Sequence, residues 1–250
     1  MCGRYATTRT ATDLSAIFDA IDATSDDEPV VIDYNVAPTD PVPIVRMSSS
    51  SGAGGSATRV VSVARWGLVP PWATDRRGGA RMINARAETV ATARAFAKPF
   101  AVRRCLIPAT GWYEFAAPPA IAPAKVRKQP YFMTPIADEP VVFAGLWSVW
   151  SDRDGTEKVM TCSIITTEAL GPLASVHDRM PLFLGPDRWE AWLTATTDLD
   201  LLLEPPTGDE IARLEIRPVG QSVGNVRSDG PGLIVRSDEP ADVPVDLTLF

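Results

Sequence analysis

Histidine and cysteine are scarce in this 250-residue chain, which has one His and three Cys. Cys2, Cys105 and Cys162 form no Cys-x-x-Cys pair, and an odd number so spaced argues against a disulfide framework and against structural zinc. The expectation is a reducing, cytoplasmic setting with neither metal nor organic cofactor. No run of eighteen apolar residues is present to span a bilayer, and the opening residues lack the basic-then-apolar order of a signal peptide. No Gly-x-Gly-x-x-Gly or phosphate-loop pattern follows a predicted strand, which removes most nucleotide-cofactor readings. Internal repeats are absent too.

What the chain does have is 45% apolar residues, enough for a substantial core, and a lopsided charge. The net charge is −7, yet Arg59 to Pro130 holds thirteen Lys and Arg against three Asp and Glu. A segment that basic is either an electrostatic footprint for phosphates or a solvated face paired with acids elsewhere.

Short apolar runs separated by turn signals predict an α+β fold, mainly an antiparallel β-sheet, barrel-like or sandwiched, with a few flanking helices. Strands are expected at Val42 to Met47, Arg59 to Ala64, Arg103 to Pro108, Gly111 to Phe115, Tyr131 to Pro135, Val141 to Trp150, Lys158 to Thr166 and Ile211 to Pro218. Helices are expected from Thr12 as N-cap through Ile21, over Glu88 to Ala97, from Thr167, over Pro186 to Leu193 and over Asp198 to Leu203. Tyr34 to Thr39 reads as a turn, and Trp66 to Ala73, with two prolines between two tryptophans, as a surface loop. A single domain over 1–235 is expected, with flexible loops at 48–57 and 116–128 and an acidic tail at 236–250.

The reactive chemistry centres on the start, Met1-Cys2-Gly3-Arg4-Tyr5. Cys2 is small enough for methionine aminopeptidase to remove Met1, leaving a cysteine with adjacent α-amine and thiol. Such a 1,2-aminothiol condenses with an aldehyde to an imine, and the thiol then closes a durable thiazolidine ring. Glu114, the one acid between Arg104 and Asp138, sits in an aromatic strand where burial would raise its pKa and suit it to proton transfer. His177, the single histidine, is a second acid/base candidate. Asn84 is a candidate for holding substrate by hydrogen bonds, and Arg4, Arg86, Arg94 and Arg179 for bidentate phosphate contacts.

These segments together resemble the SRAP family (SOS response-associated peptidase, or abasic-site processing, proteins). The resemblance is carried by Cys2-Gly3-Arg4-Tyr5, Tyr34-Asn35-Val36-Ala37-Pro38, Trp66-Gly67-Leu68-Val69-Pro70, Asn84-Ala85-Arg86-Ala87-Glu88-Thr89, Gly111-Trp112-Tyr113-Glu114, Ala144-Gly145-Leu146-Trp147, His177-Asp178-Arg179-Met180-Pro181 and Val223-Gly224-Asn225-Val226, in family order. It implies a single-turnover enzyme that crosslinks Cys2 to abasic sites in single-stranded DNA and shields the lesion. Asn84, Glu114 and His177 would take the family's catalytic roles. Gly3, Arg4, Asn35, Pro38, Trp72, Arg86, Arg94, Thr166 and Arg179 would contact DNA. A monomer without membrane association is expected, nucleoid-associated when on DNA, with replication-fork proteins as conceivable partners. A lyase reaction from the imine and a peptidase activity on the protein itself or its adduct go with the same resemblance. Two rivals stand beside it: a cysteine peptidase built from Cys2, His177 and Asn84 with no DNA role, and a noncatalytic single-strand binding module.

Overall fold

In the computed structural model, residues 2–48, 57–116 and 127–237 are described. The chain runs through β1 (Arg4–Thr7), α1 (Ala11–Phe18), β2 (Ile21–Asp22), β3 (Asp33–Val36), β4 (Pro41–Met47), β5 (Arg59–Trp66), β6 (Asn84–Arg86), α2 (Ala97–Val102) and β7 (Arg104–Ala109). It continues with β8 (Gly111–Ala116), β9 (Gln129–Pro135), β10 (Val141–Ser151), β11 (Lys158–Glu168), β12 (Arg179–Pro181), α3 (Pro186–Thr194), α4 (Gly208–Ala212) and β13 (Leu214–Pro218).

Two sheets result, and the expected α+β, mainly antiparallel architecture is what forms. One sheet has the order β13-β9-β8-β1-β3. In the other, β12-β11-β10-β7-β4-β5-β2, strand β5 also pairs with β11, so five of its strands close on themselves like a barrel. Alternation along these strands serves two cores. Ile44, Ala64, Ile107, Phe143 and Ile164 face one way and pack with Tyr5, Trp112 and Met133 of the five-stranded sheet. Val45, Val61, Leu106, Leu146 and Ile165 face the other and are covered by Leu14 and Phe18 of α1, Phe100 of α2 and Trp192 of α3.

β7 and β8, with only Thr110 between them, belong to different sheets, so the chain turns a corner there instead of forming a hairpin. Gly111 is required at that corner: a Cβ there would lie 2.3 Å from the Met133 carbonyl oxygen and 2.5 Å from the Phe132 ring.

Several local expectations are corrected. α1 is capped by Thr10, not Thr12, through a capping box with Asp13; Ile17 lies at its rim and Ile21 is 60% exposed on β2. Asp33–Val36 is a strand paired with β1, the turn following it. Glu88 to Phe96 forms successive turns, and helix α2 begins only at Ala97. The Thr92 hydroxyl donates to the Thr89 carbonyl, the local bonding that draws Thr out of helices. The helix expected from Thr167 is the end of β11, held there by β12, with a 3-10 turn at Gly171–Ser175 following. The expected strand from Ile211 starts instead at Leu214, because Thr207 and Glu210 cap α4 across Ile211. Asp198 to Leu203 is a 3-10 turn at Leu199–Leu203. Of the expected Trp66–Ala73 surface loop, Trp66, Leu68 and Val69 are buried; Pro71 and Trp72 face solvent. The loops read at 48–57 and 116–128 fall mostly outside the described residues, as do Met1 and 238–250.

Candidate active site

Cys2 lies two residues before β1, the strand between β8 and β3, and is fully buried. β1 pairs antiparallel with β8, Arg4 opposite Tyr113, which carries Glu114 on the neighbouring strand toward the same end. Asn84 arrives from the other sheet. It lies on β6, which pairs in parallel with β11 so that Asn84 is opposite Ile164 and Arg86 opposite Thr166. The Asn84 Nδ2 donates to the Cys2 carbonyl oxygen at 2.7 Å, joining the two sheets at this point. The Asn84 Oδ1 is buried and has no hydrogen-bond partner among the described residues.

Burial sets the electrostatics. Glu114 is 3% exposed, and loss of hydration raises its carboxyl to about 7. At neutral pH it is thus poised between acid and base. The Cys2 thiol is pushed well above its ordinary value, first by burial and then by the Glu114 charge. The sulfur here is therefore a thiol that needs a base at the moment it reacts.

His177 precedes β12. Burial lowers its pKa, and the Arg179 backbone N–H donates to Nδ1 at 2.9 Å, so the neutral ring carries its proton on Nε2. The Asp178 carboxylate also approaches Nδ1 at 2.8 Å, an ion pair only for a protonated ring. With Nδ1 accepting from the backbone and Asp178 87% exposed, the neutral tautomer prevails. The Asp178 charge on the same loop as His177 adds to the upward push on the Glu114 carboxyl. Asn84, Arg86, Thr166, His177 and Arg179 line one cleft of about 620 Å³.

The other predicted residues divide. Arg86 and Arg94 are exposed and take part in no ion pair among the described residues. Trp72 is 51% exposed with the Arg94 guanidinium 5.1 Å from its ring centroid, a cation–π contact at the surface. Gly3 and Pro38 are half-buried. Arg4 and Asn35 are turned inward. The Arg4 Nη1 donates to Asn35 Oδ1 at 2.8 Å and to the Val223 carbonyl at 2.9 Å. The Asn35 Nδ2 donates to the Asn225 and Ser228 carbonyls. Asn35 is 3% exposed, so its amide braces the 223–228 segment against β1. Thr166 is buried, and its carbonyl accepts from Arg179 at 2.7 Å.

Part of the basic surplus of residues 59–130 is used internally. Arg59 pairs with Glu190, Arg76 with Glu157 and Arg77 with Asp75, while buried Arg104 donates to the Phe100, Ala101, Trp192 and Ala195 carbonyls. The cleft is also lined by Glu88 and Asp178, which lie within the Asn84–Thr89 and His177–Pro181 segments and whose residue types alone point to no role. Among the described residues no group of three or more His, Cys, Asp or Glu is placed to hold a metal ion, and no helix is long and apolar enough to cross a membrane. A second groove of about 550 Å³, lined by residues such as Ile17, Phe183 and Trp189, shares no residue with this cleft.

Comparison with known proteins gives a consistent result. The family model described as SOS response associated peptidase (SRAP) matches residues 1–226. The abasic site processing protein YoqW of Bacillus subtilis (strain 168) is 32% identical over 240 residues, 94% of this chain and 99% of that protein. YoaM of the same organism, also named an abasic site processing protein, is 34% identical over 229 residues, 90% of this chain and 95% of its own. A crystal structure of a protein from Bacteroides thetaiotaomicron superposes with a TM-score of 0.77 at 23% identity, covering 94% of this chain and all of that one, which bears on the fold.

Proposed function

The chain belongs to the SOS response associated peptidase (SRAP) family, and on that premise we propose that it processes abasic sites in DNA by trapping them covalently. In this reading, removal of Met1 frees the α-amine of Cys2, and an abasic deoxyribose in a single strand supplies the electrophile, its ring-opened C1′ aldehyde. His177, neutral with its proton on Nε2, donates to the ring oxygen as the sugar opens. The amine adds to C1′ and the resulting carbinolamine loses one water to give the imine. Glu114 supplies and recovers protons in these steps, its pKa near 7 suiting it to both roles. The thiol sulfur then adds to the imine carbon and its proton ends on the ring nitrogen. One water leaves overall, and nothing is oxidised or reduced.

The observation that carries this reading is the convergence on Cys2: the Asn84 bond to its carbonyl, the buried Glu114 beside its thiol and the His177 cleft next to it. Asn84 fixes the chain end. Arg86, Arg94 and Arg179 are assigned to phosphates, Trp72 to stacking on a base, and Arg4 and Asn35 to bracing the terminus. Single strands, gaps and ends suit the cleft better than intact duplex, in which the damaged sugar would first have to leave the stack. A thiol-only peptidase fits less well, because burial and Glu114 both hold the sulfur protonated.

The test is incubation of the purified protein with a single-stranded oligonucleotide containing one abasic site, read by denaturing electrophoresis. A heat-stable protein–DNA band that is absent with undamaged oligonucleotide is expected. Its absence overturns the proposal.

A further inference from the structure

Arg179 is the most firmly held cation of the cleft, and both of its Nη groups already have partners. Nη1 donates to Glu88 Oε1 at 2.7 Å and Nη2 to Glu88 Oε2 at 3.0 Å, while Nη2 also reaches the Thr166 carbonyl at 2.7 Å. Paired parallel N–H···O bonds are the geometry in which a guanidinium holds a phosphate. The Glu88 oxygens therefore stand where two oxygens of a phosphodiester would bind. The pair is unequal: the Arg179 side chain is 15% exposed and anchored to β11, whereas that of Glu88 is 47% exposed on a turn after β6. The half-exposed Glu88 carboxylate can swing into water, where its charge is solvated. Arg86 and Arg94 carry no such partner among the described residues, so they meet a strand first.

Resting on the reading of this cleft as a DNA site, we propose that Glu88 determines specificity by acting as an internal anion that occupies Arg179 until a phosphate of a correctly seated strand takes over the fork. A strand held only at Arg86 and Arg94 gains nothing from Arg179. A strand with its lesion at Cys2 brings a phosphate to Arg179 and displaces Glu88. Discrimination thus comes from a competing charge as well as from attraction.

The test uses the full chain and an undamaged single-stranded oligonucleotide, which offers no aldehyde, with binding followed by fluorescence anisotropy from 50 to 200 mM NaCl. Glu88→Gln unmasks one cation. It is expected to bind about 3- to 10-fold more tightly at 50 mM, with the slope of log K against log salt steeper by about 0.7, the value for one added single-strand phosphate contact. The double variant E88Q/R179Q has the charge of the wild type and is expected to restore wild-type affinity and slope. An E88Q protein binding no more tightly than wild type would overturn the proposal. So would an E88Q/R179Q slope shallower than wild type by about 0.7, because Arg179 would then have been gripping undamaged DNA all along. Should E88Q alone melt early in circular dichroism, the double variant, which replaces the ion pair by two amides, decides the matter by that slope. Failure of wild type to crosslink abasic DNA would instead remove the underlying function. Crosslinking by wild type without the E88Q gain removes Glu88 alone.

Discussion

Replacing Glu114 by Gln separates the stability of this protein from its chemistry. The carboxyl is 3% exposed and its pKa rises from 4.5 to about 7 on folding. At 1.36 kcal/mol per pH unit that difference corresponds to about 3 kcal/mol. The sign follows from which state binds more protons. Between pH 4.5 and 7 the unfolded chain loses this proton while the native state keeps it. The contribution is therefore fully present below the unfolded value and lost as pH rises through about 7. Glutamine cannot ionise, so the stability of E114Q minus that of wild type should increase by about 2.5 kcal/mol from pH 5 to pH 8, with most of the change complete by pH 7. Urea unfolding of both proteins at closely spaced pH values measures this, and using the difference cancels whatever constant effect the amide has. The same substitution should slow adduct formation with abasic DNA. A difference that stays flat across that range would show that Glu114 is not the desolvated acid described here, and the proton shuttle would fall with it.

Cys2→Ser keeps the amine but replaces the sulfur, so it should form an imine that reverses or cleaves the strand; heat-stable adduct is expected to disappear while strand scission on denaturing gels increases. An equally durable adduct from C2S would remove the thiazolidine step. Trp72→Ala should weaken single-strand binding by about 1–3 kcal/mol, the range for one lost stacked base, without altering how long a preformed adduct survives. Unchanged anisotropy titrations would assign Trp72 to holding Arg94 alone.

The strands are legible because their apolar runs are strong and bounded by turn residues: β4, β5, β9, β10 and β11 begin or end within two residues of where the pattern places them. The catalytic candidates were legible because Cys2, Glu114 and His177 are chemically rare in their surroundings, not because local sequence shows them meeting. Their meeting depends on pairings across long separations, β1 with β8 and β6 with β11. The elements misread are those in which local bonding or tertiary pairing overrides propensity. Ala and Arg around Glu88 favour a helix, but without an apolar stripe the segment settles into turns that bury Val90. Thr167 and Glu168 continue β11 because β12 pairs there. The Thr10-x-x-Asp13 capping box, by contrast, was present in the sequence as a signal and marks the true start of α1. A DNA contact for Arg4 or Asn35 cannot be sorted from a bracing role by sequence, since their partners at Val223, Asn225 and Ser228 lie about two hundred residues along the chain.

The central claim is that the trap is the end group of a trimmed chain. After reaction with an abasic oligonucleotide, nuclease and protease digestion followed by mass spectrometry reports both the residue modified and the presence of Met1. The expected product is a peptide beginning at Cys2, without Met1, heavier by the sugar remnant less one water and unreactive toward thiol alkylation. A modified lysine, or an adducted peptide that still carries Met1, would contradict the account.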